Sequence, residues 1–284
     1  MKRVFSVLFA AAVLCTGIAG AKDKPDPIRV MTFNVRIQTA ADEGPQSWDV
    51  RKEGCVKALK KHSPDVLGLQ EAFYAHKSYL DAKLSDYQIV DRGEKPGQIG
   101  EDGRFGQNPI FYRTDRLDLL DYGFFWLNED QTADRKGWDA AYVRSVTWVK
   151  LKVRKSGRVF YFFNTHLDDQ GATARAESAR LIAERIRTIA GEDETVFLGG
   201  DFNTVSPDAA LEPLKEVLKE TRTVVKKADK TPTFNNFGKK DGSATAIDHL
   251  FFRGAKAKSF QVVDDKYKVR YISDHFPVFA DYEI

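Results

Sequence analysis

Short apolar runs alternate with helical stretches along nearly the whole 284-residue chain. The strand-like runs cover residues 28–35, 66–69, 110–112, 145–153, 159–164, 195–198, 246–252 and 278–282, and the clearest helices cover residues 48–62 and 172–190. This alternation is typical of an α/β protein. Residues 122–127 are continuously apolar and predict a further, buried strand. Because no linker or repeat interrupts the pattern, we expect a single α/β domain over residues 22–284.

Residues 1–21 have the pattern of a secretory signal peptide. Lys2 and Arg3 precede an apolar run, and residues 19–21 have the small side chains of a cleavage site. The run is shorter than the roughly 20 apolar residues that a membrane span needs. We therefore predict an exported protein, periplasmic or extracellular, without integral membrane association. Cys15 leaves a lipidated leader as the alternative.

The charge and cysteine content of the chain argue against a non-specific nucleic-acid binder and against a disulfide-stabilised protein. Loss of Lys2 and Arg3 with the leader lowers the formal net charge from +3 to +1. Proteins that bind nucleic acid without specificity usually have a basic excess. Only Cys55 remains after the leader, so an intramolecular disulfide is excluded, and we expect a buried thiol. The oligomeric state has no signal in the sequence.

Polar residues recur where the predicted strands end. These residues are Asn34, Glu71, His166, Asp201, Asn203, Asp248, Asp274 and His275. Taken singly, such residues are more often turn formers or helix caps. In α/β folds, however, strand ends are where side chains converge over a cleft. Oxygen ligands of this kind suit Mg²⁺ or Mn²⁺, and the histidines lack the close spacing of a zinc site.

These residues lie in six short motifs: Met-Thr-Phe-Asn at 31–34, Gln-Glu at 70–71, Asn-Thr-His at 164–166, Gly-Asp-Phe-Asn at 200–203, Ile-Asp-His at 247–249 and Ser-Asp-His-Phe-Pro at 273–277. The order of the motifs resembles the endonuclease/exonuclease/phosphatase superfamily, in particular its secreted bacterial members. The resemblance runs from about residue 28 to the C-terminus. It implies two packed mixed β-sheets flanked by helices, a four-layer α/β sandwich, and a metal-dependent phosphoesterase with Mg²⁺ or Mn²⁺ as cofactor.

The resemblance also implies roles for the metal ligands and the general base. Asn34 and Glu71 would bind the metal ion, and Asp274 would lie near it. Asp201 would orient and deprotonate the attacking water. Asn203 would help to hold that water and a phosphate oxygen.

Further roles concern the phosphate and the rest of the substrate. His275, oriented by Asp248, would contact the phosphate, and His166 would donate to a non-bridging oxygen. Arg144 resembles an arginine that precedes a Thr-Trp strand in secreted bacterial members, and we predict that it contacts substrate. Trp48 is a candidate for the substrate rim.

Two hypotheses about function remain. The first is hydrolysis of a phosphodiester or phosphomonoester, and the near-neutral charge favours a small phosphorylated or nucleotide-like substrate over long duplex DNA. The alternative is a non-catalytic ligand-binding module on the same fold. The presence of Glu71, Asp201 and His275 favours the enzyme.

Overall fold

The computed structural model describes residues 24–92, 94–100, 108–132 and 134–284. The predicted leader and part of the loop around residues 93–106 therefore lie outside the described residues. Within the described ranges, no helix has both the length and the apolar character that a membrane crossing requires.

The first β-sheet contains strands from both ends of the chain. Its strands are β1 (Pro27–Asn34), β2 (Val66–Gln70), β3 (Tyr87–Val90), β4 (Ile110–Arg113), β11 (Lys256–Ala257), β12 (Gln261–Val262) and β13 (Val278–Glu283). The order is β11-β13-β1-β2-β4-β3, and β12 pairs with β13. Strands β1 and β2 are parallel and the other neighbours are antiparallel, so the sheet is mixed.

The second sheet comes from the middle of the chain. Its strands are β5 (Leu117–Trp126), β6 (Ser145–Val153), β7 (Val159–His166), β8 (Thr195–Asp201), β9 (Lys219–Glu220) and β10 (Asp248–Arg253). The order is β5-β6-β7-β8-β10-β9. Only β7 and β8 are parallel among these described pairs, so this sheet is mixed as well.

The described helices are α1 (Trp48–His62), α2 (Tyr74–Lys83), α3 (Ala172–Ala190), α4 (Glu212–Lys215) and α5 (Thr221–Val224), with short 3₁₀ turns at Gly44–Gln46, Ala209–Leu211 and Asn236–Gly238. Helices α1 and α2 pack on the outer face of the first sheet, and α3 and α4 pack on that of the second. One apolar cluster joins α1 and α2 to the first sheet, a second joins α3 to the second sheet, and a third fills the space between the sheets. The predicted four-layer sandwich is confirmed.

A pair of buried amides joins the two sheets close to their shared end. The amide nitrogen of Gln70 donates to Oδ1 of Asn164 at 2.6 Å, and Nδ2 of Asn164 donates to the carbonyls of Leu69 and Pro109 at 2.8 and 3.1 Å. Gly68 leaves room for this contact, because a Cβ there would lie 2.5 Å from the Asn164 amide. We refer to Gln70 and Asn164 as the inter-sheet amide pair.

Several predicted elements are confirmed, and one expectation is wrong. Helices α1 and α3 and strand β6 have the predicted bounds, and Cys55 is buried. Residues 122–126 do lie in a strand, but Tyr122 and Phe124 are 37% and 38% exposed. Their strand, β5, is the edge of the second sheet, so it has a neighbour on one side only.

Candidate active site

Polar side chains of the two sheets meet where β1, β2, β7 and β8 end. Asn34 is the last residue of β1, and Glu71 directly follows β2. His166 and Asp201 end the parallel strands β7 and β8 and lie opposite each other. Asp248, at the start of β10, lies opposite Asp201 on its other side. Strand register within each sheet and the packing of the two sheets therefore bring these residues, which are far apart in sequence, to one place.

These strand ends open into a cavity of about 580 Å³. The predicted site residues that line it are Glu71, Arg144, His166, Asp201, Asn203, Asp274 and His275. Asn34 and Asp248 are fully buried behind this surface. Asn34 and Asp248 instead hydrogen-bond to two residues of the cavity wall, Asp201 and His275 respectively.

Asp201 is a buried carboxylate on the cavity wall. Its Oδ2 accepts a hydrogen bond from Nδ2 of Asn34 at 3.0 Å, and its Oδ1 accepts the backbone N–H of Asn203 at 2.9 Å. Burial, together with the neighbouring Asp248 carboxylate, raises the pKa of Asp201. A carboxylate with a raised pKa is a stronger base at neutral pH. The environment of Asp201 therefore suits proton abstraction.

His275 lies between two carboxylates. Its Nδ1 is 2.9 Å from Oδ2 of Asp248, and its Nε2 is 3.6 Å from Oδ2 of Asp201. Burial acts to lower the pKa of His275, but the Asp248 and Asp201 charges outweigh it and raise the pKa well above the usual value for histidine. The ring is therefore an imidazolium with Nδ1–H directed at Asp248, and it presents a positive N–H to the cavity.

His166 has the opposite protonation state. Nδ2 of Asn203 lies 3.0 Å from Nε2 of His166 and also donates to the carbonyl of Leu167 at 2.9 Å. Burial, with the charges of Arg144 and His275, lowers the pKa of His166 well below its usual value. In this arrangement Nε2 of His166 accepts the Asn203 amide N–H, and its donation to a phosphate oxygen stays a prediction.

The contacts of Asn34 do not fit the predicted ligand role. Its side-chain oxygen accepts the backbone N–H of Arg36 at 2.9 Å, so the assignment of oxygen and nitrogen is determined by this bond. Its Nδ2 faces Glu71 and Asp201, each at 3.0 Å. Because an amide N–H cannot bind a cation, Asn34 in this orientation holds the two carboxylates apart at a set distance.

Arg36 was not predicted as a site residue and lines the cavity. Its guanidinium makes two bonds to Asp42, at 3.0 and 3.2 Å, and Nη1 is 3.5 Å from Oδ2 of Asp274. Its φ of 60° places the backbone in the left-handed region, which is uncommon for a residue other than glycine. Its position two residues after Asn34 was the one signal available from the sequence.

Two groups of described side chains could hold a metal ion. Asp201, Asp248 and His275 each offer a ligand atom, all within 4.8 Å of one another. The imidazolium already neutralises part of that group, however, and a protonated ring does not bind a cation. Glu71 and Asp274 form the other group, where burial and the Glu71 charge raise the pKa of Asp274. This excess of negative oxygen ligands fits a divalent cation such as Mg²⁺.

Trp48 does not lie on the substrate rim, so this expectation is corrected. Only 3% of the residue is exposed, and its ring packs 4.2 Å from that of His76. As the first residue of α1, it faces the core of the first sheet, where the removal of its large apolar surface from water is favourable. Tyr142, in contrast, is 46% exposed and lines the cavity.

Arg144 lies where a substrate-binding cation is expected. It lines the cavity, and its Nη2 is 3.2 Å from Oδ1 of Asp169. Its guanidinium carbon lies 5.3 Å from the centre of the Tyr142 ring. These contacts hold the charge at the mouth of the site. Phe237 and Lys239 also line the cavity, and neither belongs to a motif that the sequence singles out.

The fold and the site together define a phosphoesterase. The family model described as "Endonuclease/Exonuclease/phosphatase family" matches residues 31–275, and the chain belongs to this family. A solved family protein from Bacteroides thetaiotaomicron is 29% identical and superimposes with a TM-score of 0.83, covering 92% of this chain and 98% of that one. A mannosyl-6-phosphatase from the same species is 30% identical, with a TM-score of 0.81 over 90% of this chain and 99% of that one.

A relative found by sequence similarity is a nuclease subunit. The Ccr4-Not complex 3'-5'-exoribonuclease subunit Ccr4 of Emericella nidulans is 29% identical over 173 residues, which are 52% of this chain. The match spans 25% of the relative's own length. The similar proteins thus include both a nuclease and a phosphatase.

Proposed function

We propose that this protein is an exported, Mg²⁺-dependent hydrolase of a small phosphate ester. The observation that carries the proposal is the pairing of a basic carboxylate with an imidazolium on one cavity wall. Asp201, of raised pKa, faces His275, whose pKa is also raised. Hydrolysis of a phosphate ester needs a positioned water and positive charge near the phosphoryl oxygens, and this pair supplies both.

The residues divide the reaction between them. Asp201 accepts the proton of the attacking water, and the backbone bond to Asn203 keeps its second oxygen oriented. Nε2 of His275 donates to a phosphoryl oxygen, while Asp248 keeps the ring in one orientation. Mg²⁺ bound by Glu71 and Asp274 would polarise the phosphoryl group and stabilise the leaving oxygen.

The size and charge of the cavity support a small substrate. A volume of about 580 Å³ lies in the range of small-molecule sites, roughly 300–1,000 Å³. Arg144 and Arg36 place positive charge beside the carboxylates of the walls, and Tyr142 and Phe237 contribute aromatic rings. The solved mannosyl-6-phosphatase makes a hexose 6-phosphate the first substrate to test. The Ccr4 relatives make a 3'-terminal nucleotide the second.

Export is supported by the sequence of residues 1–21 alone. The basic residues, the apolar run and the small residues before Lys22 are the features of a cleaved leader. An exported enzyme of this kind would act on phosphate esters in the periplasm or outside the cell.

The test is a hydrolysis screen with Mg²⁺ or Mn²⁺, followed by variants of the proposed base. Substrates are mannose 6-phosphate, glycerol 3-phosphate, bis-p-nitrophenyl phosphate and a short adenylate oligonucleotide. Asp201→Asn keeps the shape and removes the base, so kcat should fall by about a hundredfold or more, with little change in KM. Asp121→Asn, at an exposed position on β5, is the matched control and should retain full activity.

A double variant tests whether His275 and Asp248 act as a unit. His275→Ala should lower kcat, and adding Asp248→Asn should cost little further, because the contribution of the pair is lost once. If Asp201→Asn keeps near parental turnover, the assignment of the base is wrong. If the parent hydrolyses none of these esters, the binding-module alternative takes the place of this proposal.

A further inference from the structure

Arg51 is a fully buried arginine beside the active site. It lies in the first turns of α1 and has 0% exposure. Among the residues that the structure describes, it forms no ion pair with a carboxylate. Burial lowers the pKa of Arg51 below its usual value. A buried cation without a carboxylate partner costs free energy of folding, so we expect its other contacts to serve a function.

All the observed hydrogen bonds of the Arg51 guanidinium go to backbone carbonyls. Its Nε donates to Gln46 at 2.7 Å, and its Nη2 donates to Arg36 at 3.3 Å. Its Nη1 donates to both Val35 and Ile272, each at 2.8 Å. One side chain therefore holds three separate segments, and the contact with Ile272 joins residues 221 positions apart.

Two of these segments adjoin residues of the candidate active site. Val35 and Arg36 directly follow Asn34 at the end of β1, and Ile272 lies two residues before Asp274. A second bond joins the same segments, since Oγ of Ser273 donates to the carbonyl of Asn34 at 2.7 Å. The distance between the β1 end and the 272–275 turn thus depends on Arg51 and Ser273.

The charge of Arg51 also bears on the acidic wall of the cavity. The carboxylates of Asp274 and Asp42 act to raise its pKa, which means that they attract its positive charge. Both carboxylates line the cavity, whereas Arg51 lies behind them in the protein. The buried cation offsets part of the negative charge that a phosphate dianion meets on entering the site.

We propose that Arg51 is a positioning residue for phosphate-ester hydrolysis, a role that rests on the function proposed above. Its fork of donors fixes the end of β1, with Asn34 and Arg36, against the turn that carries Asp274 and His275. A lysine has the same charge but a single ammonium group, which cannot reach carbonyls of three segments at once. The shape of the guanidinium, and not only its charge, is therefore required.

The experiment compares Arg51→Lys with Arg222→Lys, both in the full mature chain. Arg222 is a suitable control because its guanidinium also donates to carbonyls, those of Asp229 and Thr231, at 2.9 and 2.7 Å. It does not belong to the cavity lining. We measure kcat and KM on the best substrate of the screen, the inhibition constant of inorganic phosphate, and thermal unfolding.

For Arg51→Lys we expect kcat to fall about tenfold or more, because small displacements of catalytic groups have large effects on rate. The inhibition constant of phosphate should stay within about twofold, since the charge is kept. Arg222→Lys should keep kcat within about twofold of the parent, even if its melting temperature falls as much as that of Arg51→Lys. Ser273→Ala should also lower kcat, and the double variant should lose less than the sum of the two single losses. If Arg51→Lys fails to fold, Ser273→Ala replaces it in the test.

Two outcomes would overturn the inference while the proposed function stands. In the first, the parent enzyme is active and Arg51→Lys keeps kcat within twofold of the parent. If Arg51→Lys does not fold, the same result with Ser273→Ala overturns the inference. The other is an equal loss of kcat in Arg222→Lys, which would make the effect one of stability alone. A parent that hydrolyses no phosphate ester would overturn the proposed function and this inference together.

Discussion

Replacement of Asn164 in the inter-sheet amide pair should weaken the junction of the two sheets. Asn164 is fully buried and takes part in three hydrogen bonds, one from Gln70 and two to backbone carbonyls. In Asn164→Ala, Nε2 of Gln70 keeps its bond to Thr32, and the Pro109 carbonyl keeps the N–H of Leu69. With about 1 kcal/mol for each lost bond and a small cavity, we expect a loss of about 2–4 kcal/mol.

Asn164→Asp separates hydrogen bonding from size. The carboxylate has nearly the shape of the amide but cannot donate to the two carbonyls, and its charge would be buried. Burial should raise its pKa above that of the unfolded chain, so the folded state loses stability as pH rises through the unfolded value near 4. We therefore expect Asn164→Asp to be less stable than Asn164→Ala at pH 8, and the difference to shrink at pH 5.

Thermal and urea unfolding measure both effects. For a chain of this size, a loss of about 2–4 kcal/mol lowers Tm by about 5–15 °C. Asn108→Ala is the matched control, because this nearby buried amide makes one side-chain hydrogen bond within the described part of the chain, to the carbonyl of Ser145 at 2.9 Å. It should cost about 1 kcal/mol. A Tm of Asn164→Ala within 2 °C of the parent, or a parental stability of Asn164→Asp at pH 8, would refute the reasoning.

Three further predictions concern the metal, a buried histidine and export. EDTA should abolish hydrolysis and Mg²⁺ or Mn²⁺ should restore it, while Glu71→Gln should weaken the metal dependence; full activity in excess chelator would exclude a metal. Burial lowers the pKa of His76 to about 4, whereas the histidine of an unfolded chain has a pKa of about 6.5. As pH falls from about 6.5 to about 4, the unfolded chain binds a proton that the folded chain does not, so the folded state loses stability over this range. His76→Gln should reduce that loss by roughly 3 kcal/mol in urea unfolding, and an unchanged pH profile would contradict this. The mature protein should begin at or near Lys22 on N-terminal sequencing; intact Met1 on cytoplasmic protein would contradict export, and an acylated Cys15 would support a lipidated leader.

The elements that sequence reasoning located well have a strong local signal. Helix α3 repeats apolar residues on one face, and strand β6 alternates apolar and polar residues, so their bounds follow from side-chain period alone. Helix α2 was not predicted: it is short, largely polar and without a capping side-chain bond at Phe73. The exposure of Tyr122 and Phe124 depends on which strands become sheet edges, and a local apolar run cannot indicate this.

The composition of the site follows from the motifs, but the direction of its hydrogen bonds does not. The sequence places Asn34 and His166 in the site, whereas the direction of their hydrogen bonds depends on the local backbone conformation at Arg36 and on Asn203, which follows a different strand. Arg51 has no signal at all, since an arginine in a polar helix is ordinarily exposed. Its role depends on carbonyls of segments that meet only in three dimensions.

The position of β1 between β2 and β13 has a consequence for the timing of activity. β1 is the first strand that the structure describes, yet six residue pairs along it, from Pro27 to Thr32, form only after the much later strand β13 has been synthesised. Asp274 and His275, just before β13, are likewise synthesised long after β1. A chain that is still emerging therefore has an open β1 edge and half an active site. The candidate site is therefore completed in one late step, because a chain that ends before residue 274 lacks two of the side chains that line the cavity.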